Sequence, residues 1–523
     1  MKKSYVDGAP RAQGSVPTRR RLIAVGGLAA GASLALAGSA QAATFTVTNL
    51  SDSGSGSLRD AITQSNGASG ANTITFASGL SGTITLASHL PTITQPVGIE
   101  GPGATALTVS GGGANRIFYS LSVPSNGDPV TIAGLSLVDA NSGGFGGAIS
   151  NYNAALTVKN ATISGNSADS AAGISSFPPG SLTVINSTIS GNHAAHYEGG
   201  IFARGEVTIQ SSTISGNTAE RGDGGLFITY SSSSSLIANS TIANNTENYY
   251  GAGGIGIGGG ADSELRIVDS TISGNHANSS PSASDRGGGG IYVYSGTVKL
   301  EDTIVAGNTT SSAGTASDIR GPLGAAFSLI GDPSGATITD TVAGSTITGA
   351  DPQLGALQNN GGPTQTMLPA ATSPVIDKGS AFGLSSDQRG VLRPIDFPSI
   401  PNSNVAGADG SDIGAVELQP SNALALASLK RNKKKGTAVQ TVDLPTPDAG
   451  SVTLAGKFLK TQAHAVADNG VVNLKLIPKG KLRKLLKRKG KARTRETITY
   501  NPSGQSPNSV AKKIKLIKKP RHR

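Results

Sequence analysis

Cysteine and tryptophan are absent from this 523-residue chain, aromatic residues make up only 4% of it and charged residues only 14%. Without cysteine there is no disulfide framework, no thiolate metal site and no cysteine nucleophile. So few rings cannot fill a broad aromatic core, whereas 72 glycines and many small β-branched side chains suit a narrow, stacked interior. The missing aromatic girdles also argue against a transmembrane barrel, whose alternating strands would run to about ten residues.

The net charge of +11 is unevenly spread. Met1–Arg21 carries +5, Leu22–Ser428 carries −15 and Leu429–Arg523 carries +21. An acidic body thus precedes a strongly basic tail, and basic tails attract polyanions.

What the chain has in quantity is one segment used six times. LTVKNATISGNSA, beginning at Leu156, recurs as LTVINSTISGNHA, VTIQSSTISGNTA, SLIANSTIANNTE, LRIVDSTISGNHA and VKLEDTIVAGNTT. The closing asparagines are Asn166, Asn192, Asn217, Asn245, Asn275 and Asn308, spaced 26, 25, 28, 30 and 33 residues apart. Such a period marks a solenoid, in which each unit buries its apolar face only against its neighbours. Three apolar columns run through the copies: Leu156, Leu182 and Val207; two residues on, Val158, Val184 and Ile209; and Ile163, Ile189 and Ile214. The first two share one face of a strand. A polar corner follows at Asn160, Asn186, Asn239, Asp269 and Asp302, and Gly-Gly-Ile/Leu segments at Ile201, Leu226, Ile255 and Ile291 open each new turn. The spacing predicts about three short strands per coil. The fold class is therefore all-β: a right-handed parallel β-helix with a short N-terminal capping helix, followed by a small basic immunoglobulin-like β-sandwich. A leucine-rich repeat would need regular leucines and a second, often helical segment, and neither is present.

In chain order, residues 1–42 read as an export signal. Thr18-Arg19-Arg20-Arg21-Leu22-Ile23 leads into an apolar run ending at Ala37, and Ala40-Gln41-Ala42 fits cleavage before Ala43. The run is short for a membrane span. Its leader fits a twin-arginine signal and equally an ordinary secretory one. The protein is expected outside the cytoplasm, extracellular or associated with the envelope, with no transmembrane segment in the mature chain. Residues 43–418 are assigned to the β-helix. Within it, 57–66 forms a capping helix with Leu58, Ala61 and Ile62 on one face and Ser57 and Asp60 spaced as a capping box. The repeats occupy about 130–310. Residues 419–435 read as a linker, and 436–523 as the Lys/Arg-rich sandwich, with KGKLRKLLKRKGK as a short amphipathic crossover packed on it or, alternatively, a membrane-surface helix.

Several motifs carry a family resemblance. The run from Thr44 through GSLRDAI to NTITFA resembles the N-terminal segment of CSLREA-type secreted proteins, with Gly56 where that family has Cys and Asp60 where it has Glu. DPQLGALQNNGGPTQTMLPAATSPVIDKG, SSDQRGVLRP and SDIGAVE, in this order over residues 351–418, resemble the choice-of-anchor Q domain of β-helix proteins. The STISGN repeats are similar to those of polymorphic outer-membrane proteins. The resemblance covers roughly 44–418 and implies a secreted, surface-held β-helix.

Chemistry is sparse. The asparagine column reads as a structural ladder of stacked amides, and His193 and His276 as residues of its turn. The variable loops after each ladder Asn hold His196, Tyr197 and Glu198; Glu220, Arg221 and Asp223; Glu247, Tyr249 and Tyr250; and Asp285 and Arg286. Stacked coils bring such loops to one edge. His196, Tyr197, Glu198, Asp223, Glu247, Tyr249 and Tyr250 form the candidate glycan-binding edge, with tyrosines to stack on sugars and carboxylates as acceptors or as an acid/base pair. No catalytic residue is assigned. The adjacent aspartates and Gly-His-Gly of polygalacturonase-like sites do not occur, and Asp262, Glu264 and Arg266 read as the solvent face of a strand rather than as a Ca²⁺-dependent lyase site. No cofactor is expected, Ca²⁺ being the one alternative, with no motif to support it. The expected function is a non-catalytic adhesin or glycan-contacting scaffold that meets cell-envelope or extracellular polysaccharide, its basic module held by acidic polymer. The alternative is a polysaccharide lyase or glycoside hydrolase acting on acidic polysaccharide. Nucleic acid is not an expected partner, since the module offers only Phe458 and Tyr500 for base stacking.

Overall fold

The computed structural model describes residues 42–121, 128–230, 234–260, 263–278, 287–311, 318–397, 400–419, 423–444, 450–466, 470–502 and 507–519. The export-signal reading of residues 1–42 falls, apart from its last residue, outside the described residues.

Each coil of the repeat region contains four strands rather than three. The coil beginning at Ser181 runs through Ser181–Ile185, Thr188–Ser190, His193–Ala194 and Ile201–Arg204. The extra strand follows the ladder Asn; from the coil of Asn192 onward it is a two-residue step, too short to leave a pattern of its own. Successive coils pair parallel and in register: Leu156 with Leu182 and Leu182 with Val207, Ile163 with Ile189 and Ile189 with Ile214, Ile174 with Ile201 and Ile201 with Leu226. The result is a parallel β-helix of four strand stacks. The first and fourth stacks share the strand Ile319–Ala326, which joins them into a 19-stranded sheet beside an 11-stranded and a seven-stranded one. All three apolar columns are buried, in one continuous core with the Gly-Gly-Ile/Leu column.

The corners explain the polar part of the repeat. Asn160, Asn186, Asn239, Asp269 and Asp302 all have φ between 46° and 51°, the left-handed region that Asn and Asp tolerate best among residues with a Cβ. The next residue begins a ladder that the sequence reading did not single out: the backbone N–H groups of Ala161, Ser187, Ser212 and Ser240 donate to the hydroxyls of Ser187, Ser212, Ser240 and Ser270 at 3.1–3.2 Å. Beyond the second stack, the asparagine amides form a second ladder. Nδ2 of Asn166, Asn192, Asn217, Asn245 and Asn275 donates to Oδ1 of the next Asn at 2.9 Å, and Asp318 takes Asn308 at 2.8 Å. Each Nδ2 also donates inward, as Asn217 does to the Ile189 carbonyl at 3.0 Å, so the buried amides are satisfied. Replacing Asn217 by Leu leaves two neighbours short of partners. At about 1–3 kcal/mol for each buried orphan, a loss of roughly 2–5 kcal/mol is expected in chemical denaturation; a loss below about 1 kcal/mol would contradict the ladder's role.

Helix α1, Leu58–Gly67, closes the N-terminal end. Ser57 accepts from the Asp60 N–H, Asp60 accepts from the Gly56 N–H, and Leu58, Ala61 and Ile62 join the solenoid core. Gly56 is required here: at φ 76° an added Cβ would lie 2.2 Å from Thr48 Oγ1.

The closing region 351–418 holds no regular strand among its described residues and folds back along the second stack. Gln388 exchanges hydrogen bonds with Thr213 and Thr241 of successive coils. Arg393, buried, pairs with Asp269, with Asp302 at 3.1 Å and with Glu417 at 3.4 Å. Val375, Ile376, Phe397, Ile413 and Leu418 cover Ile304 and Leu329.

The C-terminal module is a two-sheet antiparallel sandwich. Ala425–Asn432, Thr437–Leu444 and Gly470–Leu476 form one sheet; Gln462–Val466, Gly450–Ala455, Lys491–Pro502 and Asn508–Ile517 form the other. Strands one, two and five against three, four, six and seven is an immunoglobulin-like arrangement. The linker assignment of 419–435 is corrected. Ala425–Asn432 pairs antiparallel with Thr437–Leu444, and its leucines pack on the sandwich core while its cations face out, which made the segment look like a basic spacer. Helix α2, Gly480–Lys489, buries Leu482 and Leu486 in that core, so its apolar stripe is already occupied and the membrane-surface alternative loses its contact face. Tyr500 is core as well, removing one of the two rings considered for base stacking.

Candidate functional site

Behind the tyrosine edge the coils approach so closely that side chains are excluded. A Cβ on Gly200 would lie 2.3 Å from the Gly225 carbonyl, and one on Gly225 2.4 Å from that of Gly254. The loops entering these Gly-Gly steps are thereby pressed together. Tyr197 and Tyr250 lie 6.3 Å apart and Tyr249 and Tyr250 5.6 Å apart, centroid to centroid. Arg221 sits 5.6 Å over the Tyr249 ring, and His196 bonds Asp169 at 2.5 Å. Tyr197 and Tyr249 are 40% and 41% exposed, so both side chains can be reached by a ligand, Tyr249 with Arg221 over its ring. Asp285 and Arg286 lie outside the described residues.

The carboxylates of this edge depart from expectation. Glu198, Asp223 and Glu247 are buried, not exposed acceptors. Asp223 accepts from the Ala252 N–H at 2.6 Å and from the Tyr294 hydroxyl, and Glu247 accepts from the Tyr249 N–H. Glu198 Oε2 and Glu247 Oε2 have no protein partner. Their loops turn back into the stack, with Glu198 at φ 50°, a conformation that loop composition did not announce. Burial pushes the Asp223 carboxyl up to about 7 and that of Glu247 to about 8, and raises Glu198 well above its ordinary value, with mutual repulsion from Asp223 adding to the last two.

These shifts have a definite sign. A carboxyl with a raised folded-state pKa binds its proton more tightly folded than unfolded, so stability falls as pH rises from the unfolded value near 4 through the folded one. The midpoint of thermal unfolding should therefore drop as pH goes from 5 to 8, and Asp223→Asn with Glu247→Gln should flatten that slope. A wild-type midpoint that climbs over this interval would contradict the burial of these groups.

The residues weighed for lyase chemistry are engaged elsewhere: Glu264 pairs with Lys299 at 2.7 Å and Arg266 with Glu301, both between coils on the first stack, while Asp262 lies outside the described residues. His193 is exposed, 3.8 Å from Glu220, and His276 bonds Thr309 at 2.8 Å. Among the described residues no three His, Asp or Glu side chains are placed to hold a metal ion.

Sequence reasoning missed a larger feature. The outward face of the fourth stack carries a row of aromatic rings along the solenoid axis. Tyr152 stacks on Phe177 at 4.4 Å, Phe177 meets Phe202 at 5.4 Å, and Phe202 stacks near Phe227 at 6.2 Å. Tyr119 extends the row at one end, Tyr294 and Tyr292 at the other, and Phe145 leans on Phe177 and Phe202. Of 10 Tyr and 11 Phe in the chain, seven thus follow the fourth stack and an eighth, Phe145 of the third stack, leans on them, in a protein that has few rings to spend. The signal was present one residue after each inward Ile or Leu, at Phe202, Phe227 and Tyr292, but spacings of 25 to 36 residues and intervening Gly and Ser hid it.

The basic module offers a third feature, a cavity of about 340 Å³ lined by Lys435, Lys460, Arg483, Lys487 and Lys518, with no carboxylate in its wall.

No curated protein sequence matches the chain. Residues 125–310, which carry the six ladder coils, the tyrosine edge and most of the aromatic row, match a family model described as a right handed beta helix region.

Proposed function

We propose that this protein is an exported, envelope-associated β-helix that contacts glycans without transforming them. The observation carrying this reading is the edge itself: open tyrosine rings and Arg221 face outward while Glu198, Asp223 and Glu247 are turned in. Rings with a polar tip suit sugars, whose C–H faces are apolar and whose rims are hydroxylated. The motif resemblance to choice-of-anchor Q and CSLREA-type secreted proteins, and the basic leader before Ala43, support export. The +21 tail supports retention by an acidic envelope polymer.

Binding of the mature chain to a panel of polysaccharides, compared with a Tyr197→Ala/Tyr249→Ala/Tyr250→Ala variant, tests the edge: saturable binding that the variant loses at unchanged thermal stability supports it. Retention is tested by removing residues 423–523, which should release the protein into the medium, whereas the intact chain should be released progressively by salt. Equal, salt-insensitive retention of both forms would refute the holder.

One observation favours a second reading. Asp223 near 7 and Glu247 near 8 lie in the range of a general acid, and Glu247 accepts from the Tyr249 N–H of the edge. Shortened or unsaturated products from an acidic polysaccharide, with or without Ca²⁺, abolished by Asp223→Asn, would establish a hydrolase or lyase.

A further inference from the structure

We infer that the aromatic row on the fourth stack is a track for a linear, uronate-bearing polysaccharide lying parallel to the solenoid axis. This rests on the glycan-contacting reading above and gives it a site, a direction and a ligand class.

The first argument is spacing. Coils repeat at the strand separation of ~4.8 Å, about the length of one hexose unit in an extended chain, and Tyr152, Phe177, Phe202 and Phe227 come one per coil. A chain along the axis therefore meets a ring at nearly every sugar, whereas one lying across it meets one or two. The row crosses seven coils from Tyr119 to the coil of Tyr294, whose neighbour Tyr292 is buried, roughly 30 Å by that spacing.

The second argument is availability. The opposite flank of the solenoid, the second stack, is covered by the closing region through Gln388 and Arg393, while Phe145 and Tyr294 on the row are 40% and 39% exposed. Rings packed on one another and anchored to a rigid sheet lose little conformational freedom when a ligand arrives.

The third argument is charge. The solenoid as a whole is acidic, yet among the described residues the outward positions of this stack hold no carboxylate. Their charged side chains are Arg204, which is exposed, and Arg320, stacked 5.3 Å over Tyr292; Arg116 lies 5.5 Å over Tyr119. Asp223 reaches the row only from beside it, buried over Gly256, where an added Cβ would lie 2.3 Å from its carboxylate. Arg204 in the middle and Arg320 at one end of an apolar track, with Arg116 at the other end donating from Nε and Nη2 to the Gly146 and Phe145 carbonyls and keeping Nη1, fit a polymer whose sugars each carry a carboxylate.

Calorimetric titration of the mature chain with galacturonate oligomers from dimer to octamer, and with neutral cello-oligomers of the same lengths, tests this. Affinity for the acidic series should climb with length and level off at about six or seven units, the span of the row. Phe202→Ala/Phe227→Ala should weaken hexamer binding by about tenfold or more, and Phe202→Leu/Phe227→Leu, which keeps the packing, should weaken it as well, since the flat ring is what the sugar needs. Arg204→Ala should weaken the acidic series severalfold and reduce its salt dependence. Equal affinity for neutral and acidic oligomers, length-independent binding, or full binding by both phenylalanine variants would overturn the track. If those variants bind normally and the Tyr197/Tyr249/Tyr250 variant does not, the track fails and the edge reading stands; if no oligomer binds the wild type, both fail.

Discussion

Replacing Arg393 with methionine is expected to cost about 3–5 kcal/mol and to free the closing region from the solenoid. The guanidinium is fully buried between Asp269, Asp302 and Glu417 and donates to the Gly414 carbonyl at 2.7 Å. Burial alone opposes its charge, but the surrounding carboxylates outweigh burial and raise its pKa. Methionine fills much of the volume and leaves three buried carboxyls with no counterion. The loss should then depend on pH with a sign that identifies its cause. Without the cation the carboxyls take up protons more readily in the folded state, so the variant should regain stability, relative to wild type, as pH falls from 7.5 to 5. Denaturant unfolding across that range, with limited proteolysis to detect release of residues 351–418, checks both parts. A loss that is the same at every pH would mean that packing, not charge, holds the region in place.

This lock also shows what the sequence could disclose and what it could not. The corner column was visible, and so was its change from Asn at 160, 186 and 239 to Asp at 269 and 302. The change makes sense only beside Arg393, which lies 124 residues beyond Asp269 and belongs to a region without repeats. Periodicity reports contacts between a coil and its neighbour, because the same positions recur at nearly constant spacing. It is silent on a segment that folds back across many coils. Thus Gln388, Arg389 and Arg393, prominent in SSDQRGVLRP, could be linked to a resemblance but not to their work of fastening. The three edge carboxylates illustrate a different limit. Their loops follow the ladder Asn in the sequence, yet whether a side chain at the edge points out or in depends on loop backbone, and Glu198 turns inward through a left-handed conformation. The aromatic row was lost for a third reason. Its members are split between two outward columns, Tyr119, Phe202, Phe227 and Tyr292 in one, where Ser150, Ser175 and Gly256 interrupt them, and Tyr152 and Phe177 two residues further on, so no fixed spelling marks it.

Ile189→Asp is expected to have the largest effect of any single substitution considered. Ile189 lies in the second stack between Ile163 and Ile214, fully buried, and its carbonyl receives the Asn217 amide. An aspartate there has no cation within the apolar column, so it must either be charged at great cost or fold protonated with its oxygens unpaired; either way a loss above about 4 kcal/mol is expected. In a solenoid the damage should also spread in a particular pattern. Stability is close to a sum of coil and interface contributions, so a coil that cannot form breaks both of its interfaces at once. Hydrogen exchange should therefore quicken first in the coils on either side, those of Ile163 and Ile214, and least in the C-terminal sandwich, which has a core of its own. The same substitution one residue earlier, Thr188→Asp, places the charge on the outward side of the same strand and should change stability by less than about 1 kcal/mol. Equal losses from the two variants would overturn the inside and outside assignment on which the tyrosine edge and the aromatic track both depend.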